Sequence, residues 1–139
     1  SPYQRWRHTQ AAGARSGTLS DGDRGVCLDN MQRDSGPPGL YGCHAGGTQQ
    51  WELDEDGRIK AAEKREVCLG FVPEVSIAVC SKADVNFRWD VDEGPGGRLT
   101  IRPRVMPTFC MERLQTLDRV RISECDPDSE QQAWSFRRA

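Results

Sequence analysis

The feature that most constrains this chain is a threefold internal repeat. Gly17-Thr18-Leu19, Gly57-Arg58-Ile59 and Gly97-Arg98-Leu99 recur at a spacing of 40 residues. Cys27, Cys68 and Cys110 follow at steps of 41 and 42, each with an apolar neighbour in Leu28, Leu69 or Met111. A second cysteine comes next (Cys43, Cys80, Cys125), and Trp51, Trp89 or Trp134 closes each unit 8, 9 and 9 residues later. A unit of this kind cannot bury its hydrophobic face alone and must pack on its copies. The repeats read as about 15–54, 55–94 and 95–137.

The apolar segments are short and rich in β-branched residues, as in Ser76-Ile77-Ala78-Val79-Cys80 and Val120-Arg121-Ile122, and turn clusters such as Asp54-Glu55-Asp56-Gly57 separate them. This pattern predicts strands. No stretch sustains a helical period for three turns, which argues against helical repeats. A propeller blade has a similar length, but a propeller typically needs at least four blades. The expectation is an all-β chain of 139 residues, one domain, whose three units close on one another around a shared core.

Six cysteines without a C-x-x-C pair read as a disulfide framework. Several connectivities are open, and the most economical pairs each cysteine within its own repeat: Cys27–Cys43, Cys68–Cys80 and Cys110–Cys125. Each such loop is worth about 3 kcal/mol in the chain-entropy model, large against a net stability of roughly 5–15 kcal/mol. Zinc is the competing reading. It needs four converging ligands, and only Cys43-His44 are adjacent, so no metal site is expected. Disulfides point to an oxidising compartment.

Nineteen Lys and Arg against 21 Asp and Glu give a net charge of −2. That leaves no electrostatic footprint for nucleic acid and no polybasic face for direct membrane contact. No apolar run approaches the roughly 20 residues of a membrane helix. The chain has no Ser-His-Asp set, no metal cluster and no phosphate-binding glycine loop. Its two histidines are His8 and His44. Catalysis by this chain alone is not expected.

Gln49-Gln50-Trp51 and Gln132-Ala133-Trp134 resemble the Gln-x-Trp signature of ricin-type lectin domains, with Phe87-Arg88-Trp89 as the departing middle copy. Cys27-Leu28-Asp29-Asn30, together with Gly39 to Trp51, is similar to the first repeat of the C-terminal lectin domain of polypeptide N-acetylgalactosaminyltransferases. The resemblance covers about residues 15 to 137. It implies a β-trefoil of three repeats with one disulfide per repeat, and a lectin that binds a GalNAc-bearing glycan or glycopeptide. It also implies a catalytic domain of the same polypeptide, in which manganese and the sugar nucleotide are held; this chain itself would need no cofactor. Residues 1–14, with Tyr3, Trp6 and several arginines, would be an N-terminal arm or the interdomain linker. The location implied is the secretory lumen, in the Golgi as part of a type II membrane enzyme, with secretion as the alternative.

A galactose-type ring needs a carboxylate for its hydroxyls and an aromatic for its C–H face. Two residues after the first cysteine stand Asp29, Gly70 and Glu112; two before the second stand Tyr41, Ala78 and Ser123. Only the first repeat keeps both groups, so one working site is expected. There Asp29 accepts hydroxyl protons and Tyr41 stacks on the sugar. His44 bonds a hydroxyl or the acetamido group, and Thr48 stands where the family has asparagine. Asn30 is a fallback amide, and Gln49 orients Asp29 from behind or fills the core. Gly46-Gly47 lets the loop approach the ligand. The three tryptophans are expected in the core. The rival readings are a structural or protein-binding trefoil with decayed sites, and the lectin module of a different secreted protein.

Overall fold

The computed structural model describes residues 4–5, 15–22, 25–44, 46–71, 74–80, 85–114, 116 and 118–138. Among them the chain consists of strands and short 3-10 turns, with no α-helix. The strands are β1 (Gln4–Arg5), β2 (Arg15–Ser20), β3 (Val26–Asp29), β4 (Gly39–Gly42), β5 (Trp51–Leu53), β6 (Ile59–Ala61), β7 (Lys64–Phe71), β8 (Val75–Val79), β9 (Trp89–Glu93), β10 (Leu99–Pro103), β11 (Phe109–Leu114), β12 (Arg119–Glu124) and β13 (Ser135–Arg138). From β2 onward they fall into three sets of four, one set per sequence repeat.

The sets are joined cyclically. The fourth strand of each unit pairs antiparallel with the first strand of the next: β5 with β6, β9 with β10, and β13 with β2. Within a unit, first and fourth strands meet at the tryptophan, as Gly17↔Trp51, the Leu99↔Trp134 bridge, and the Trp89 N–H that donates to the Gly57 carbonyl at 2.7 Å. The second and third strands of each unit form hairpins, β3–β4, β7–β8 and β11–β12. A closed ring of six strands capped by three hairpins is the β-trefoil that the resemblance implies.

The core repeats with the sequence. Leu19, Ile59 and Leu99 are buried, as are Leu28, Leu69 and Met111, and all three tryptophans are at most 1% exposed. Each indole N–H donates to the carbonyl of the residue after the first cysteine: Trp51 to Leu28 at 2.9 Å, Trp89 to Leu69 at 3.0 Å, Trp134 to Met111 at 3.1 Å. A buried indole needs such a partner, which explains why the Cys-(Leu/Met) and Trp positions keep a common spacing. Disulfides join Cys27–Cys43, Cys68–Cys80 and Cys110–Cys125, one in each unit.

Within the first 14 residues, the backbone of Gln4–Arg5 pairs with Asp92–Glu93 of β9. Tyr3, Trp6 and His8 lie outside the described residues. No helix among the described residues is long and apolar enough to cross a membrane.

Candidate functional site

The three hairpins place equivalent positions opposite one another. Cys27 faces Tyr41, Cys68 faces Ala78, and Cys110 faces Ser123. One pair further on, Asp29 faces Gly39, Gly70 faces Ser76, and Glu112 faces Arg121. Residues at equal distance from the cysteines of each repeat therefore occupy equivalent positions in the hairpins.

In the first repeat Asp29 is 4% exposed. Its Oδ1 accepts the Met31 N–H at 2.8 Å and its Oδ2 accepts from Gln49 Nε2 at 3.1 Å. A carboxylate offers about four acceptor directions, so these two bonds hold Asp29 in place without using all of them. Asp29 is thus both an Asx-turn residue and a candidate acceptor. Gln49 is fully buried and does three things at once. Its Nε2 also donates to the Gly42 carbonyl at 2.9 Å, and its Oε1 accepts the His44 N–H at 2.9 Å. It orients Asp29 from behind and also fills the core.

Tyr41 is 58% exposed on β4, and its ring meets the His44 ring edge-on with centroids 6.0 Å apart. His44 Nδ1 accepts the Gly46 N–H at 2.9 Å. The neutral ring therefore carries its proton on Nε2, which lies 3.7 Å from Asp29 Oδ2. Thr48 is half-buried, and its carbonyl accepts the Asn30 N–H at 2.9 Å. The structure brings Asp29, His44 and Tyr41 together, and the Thr48 backbone is tied to Asn30, next to Asp29. Asn30 is buried, with Oδ1 accepting the Gln32 N–H at 2.7 Å and Nδ2 donating to Glu63 at 3.3 Å. Its amide is engaged by the protein on both sides.

Met31 and Gln32 have φ of 57° and 60°. Two consecutive left-handed non-glycine residues cost on the order of 1–3 kcal/mol each. The side chains of Asp29 and Asn30, bonding the N–H groups two residues on, hold this conformation. The two glycines of the loop also have a task within the protein. A Cβ on Gly46 would lie 2.7 Å from the His44 ring, and one on Gly47 would lie 2.4 Å from Glu63 Oε2. They make room for those two side chains.

The other repeats show what became of the same position. In the third, Gln132 repeats the pattern of Gln49: Nε2 donates to Glu112 at 3.2 Å and to the Glu124 carbonyl at 2.8 Å, while Oε1 accepts the Asp126 N–H at 2.7 Å. Here, however, Arg121 stands where the first repeat has Gly39, and its Nε donates to the other oxygen of Glu112 at 2.7 Å. The carboxylate already has an internal partner. In the second repeat both polar partners have gone together. Phe87 replaces the glutamine, and a Cβ on Gly70 would lie 2.9 Å from its ring. The aromatic fills the space that the carboxylate and amide occupy elsewhere.

Sequence reasoning missed Glu63 and Arg121. Each acts on a residue distant in the chain, and neither lies in a motif. It also missed Arg113, whose guanidinium donates to the Ala133 and Glu130 carbonyls and lies 5.1 Å from the Trp134 ring centre. Burial pushes that guanidinium below its ordinary pKa. Among the described residues, no group of three or more His, Cys, Asp or Glu converges as a metal-binding cluster.

Comparison with known families matches residues 15–134 to the ricin-type β-trefoil lectin domain. A search among curated proteins finds no match. Among solved structures, GalNAc-T7 with UDP, GalNAc and Mn2+ is 21% identical, with a TM-score of 0.66 over 88% of this chain and 22% of that one. A non-toxic homologue of type II ribosome-inactivating proteins from Momordica charantia (bitter gourd), in complex with α-methyl-D-galactoside, is 22% identical, with a TM-score of 0.73 over 89% and 48%. The β-trefoil lectin of the Vibrio vulnificus hemolysin/cytolysin, with N-acetyl-D-lactosamine bound, is 18% identical, with a TM-score of 0.68 over 88% and 93%. The chain thus spans about a fifth of the first of these proteins and about half of the second. At these identities the likeness establishes the fold.

Proposed function

Since the chain belongs to the ricin-type β-trefoil lectin family, a carbohydrate-binding fold, we propose that it binds a galactose-type sugar, N-acetylgalactosamine foremost, at one site built on Asp29 and Tyr41. One observation carries this reading. The first repeat alone combines a buried, doubly held carboxylate that no Lys or Arg pairs among the described residues with an exposed aromatic on the neighbouring strand. Tyr41 takes the C–H face of the ring, and Asp29 accepts its hydroxyl protons. The Nε2–H of His44 and the Thr48 hydroxyl supply the remaining polar contacts. Thr48 offers a single donor where an asparagine would offer two, which favours a weak site. Binding near millimolar, about 4 kcal/mol, fits so few polar contacts.

The segment from Gly39 to Trp51 extends the proposal to the lectin domain of a polypeptide N-acetylgalactosaminyltransferase in the Golgi lumen. There it would hold a glycan already placed on a mucin-type substrate and raise the effective concentration of nearby acceptor hydroxyls. Manganese and the sugar nucleotide would belong to the catalytic domain of the same polypeptide.

The test is an amide NMR titration of the oxidised chain with N-acetylgalactosamine, then with galactose, repeated on Asp29→Ala. Saturable shifts over residues 29–48 that vanish in the variant are expected. No shifts at tens of millimolar sugar would leave a protein-binding trefoil as the better reading.

A further inference from the structure

Beside the proposed sugar site lies a second concavity, a cleft of about 230 Å³ lined by Asn30, Gln32, Arg33, Asp34, Glu63 and Lys64. Ala61 and Val67, each 2% exposed, also line it. Cleft and site share a wall. Asn30 is held to Thr48 through its N–H and to Glu63 through its amide. The other Glu63 oxygen lies against Gly47, next to Thr48. Glu63 comes from the turn between β6 and β7, in the second repeat, so the wall is built across the boundary between repeats.

The chemistry of the lining narrows the ligand. Lys64 and Asp34 form an exposed ion pair, whose hydrogen bond raises the Lys64 pKa. Arg33 donates to the Pro37 carbonyl at 2.5 Å. The cations Arg33 and Lys64 balance the anions Asp34 and Glu63 across the lining, so neither sign of charge is selected. The lining as a whole offers both donors and acceptors. Hydroxyl groups, which donate and accept at once, suit such a lining. The volume is below the roughly 300 Å³ at which drug-sized pockets begin, a size for one ring.

We propose that this cleft is an extension subsite for a second, neutral sugar ring of the same glycan, with Glu63 as its specificity-determining hydroxyl acceptor. The inference rests on the sugar reading of the Asp29–Tyr41 site. It makes the first repeat a reader of disaccharides, completed by a residue of the second repeat.

The test uses the full oxidised chain and calorimetric or NMR titration. The probes are methyl α-galactoside, methyl α-N-acetylgalactosaminide, a GalNAc-serine peptide, and a panel of disaccharides. The panel joins a galactose-type ring to a second neutral ring through each linkable position, N-acetyl-D-lactosamine included. At least one disaccharide should bind about five- to tenfold more tightly than its monosaccharide. Glu63→Ala should remove that gain, and Asp29→Ala should remove all binding. Glu63→Gln keeps an acceptor for Asn30 and should preserve monosaccharide affinity, which separates loss of the subsite from collapse of the loop. Monosaccharide binding with no disaccharide gain, or a gain that survives Glu63→Ala, would overturn the subsite while leaving the primary site intact. A Glu63-dependent gain seen with the peptide alone would overturn it in favour of a peptide ligand. Absence of all binding in the unaltered chain would overturn both readings.

Discussion

At the scale of the residue, the Gln-x-Trp glutamine is a connector. Gln49 and Gln132 each tie a carboxylate, a strand-end carbonyl and a loop N–H to one buried amide. The same geometry in two repeats gives a clean comparison. Gln49→Ala and Gln132→Ala should each cost about 1–3 kcal/mol, because each leaves buried polar groups unpaired. Denaturant unfolding measures that cost. Only Gln49→Ala should also weaken sugar binding, by about tenfold or more, because only there does the amide hold a carboxylate that a ligand uses. Equal loss of binding in both variants would place the sugar elsewhere. The glutamine and carboxylate positions were legible from the repeat; the bonds between them were not.

At the scale of the element, the unit of function is a hairpin together with the loop that follows its second cysteine. β3–β4 is joined by residues 30–38, a longer connection than residues 72–74 of β7–β8 or 115–118 of β11–β12. That connection reaches its neighbours: Gly36 bridges to Ile77, and the Leu40 N–H donates to the Asp118 carbonyl at 3.0 Å. β11–β12 has the same frame but carries Arg121 and Ser123 where β4 carries Gly39 and Tyr41. The Arg121–Glu112 pair is part-exposed and adds less than about 1 kcal/mol of stability. Its main effect is to occupy the carboxylate. Arg121→Gly combined with Ser123→Tyr should therefore create a second site at little cost in stability. In an NMR titration a new cluster of shifts should appear over residues 109–132. If the double variant folds and stays univalent, the carboxylate position does not control sugar binding. The sequence had shown that the third repeat keeps a carboxylate and lacks an aromatic. It did not show that an arginine sits on that carboxylate, because nothing local marks which charge a strand partner will face.

At the scale of the whole molecule, three units share one core while their surfaces have diverged. The disulfides span 16, 12 and 15 residues, so each contributes similarly in the chain-entropy model, about 3 kcal/mol. Replacing Cys27 and Cys43 with alanine, or Cys68 and Cys80, should lower Tm by roughly 10 °C in either case. The consequences for binding should differ. The first bridge joins β3 to the segment holding His44, one residue beyond Cys43 and directly opposite Tyr41 at Cys27. Its loss should weaken sugar binding about tenfold, measured by titration below the melting range. Loss of the second bridge should leave binding unchanged. Equal binding losses would mean that the bridges act through global stability alone.

The sequence by itself determined the threefold repeat, the all-β class, the core tryptophans and the one repeat equipped with both carboxylate and aromatic. It could do so because these properties are periodic. Each depends on a residue type at a position that recurs about every 40 residues, and one core can be closed by three copies only if its key positions recur. Only the tertiary structure decided which side chains meet across that period. Glu63 touches Asn30 and Gly47 from the next repeat, Arg121 occupies Glu112 across a hairpin, and Phe87 fills the space above Gly70. These contacts depend on closure of the ring and on hairpin register. Side-chain reach at long sequence separation has no local signature, so the divergence of three similar surfaces became visible only once the chain was folded.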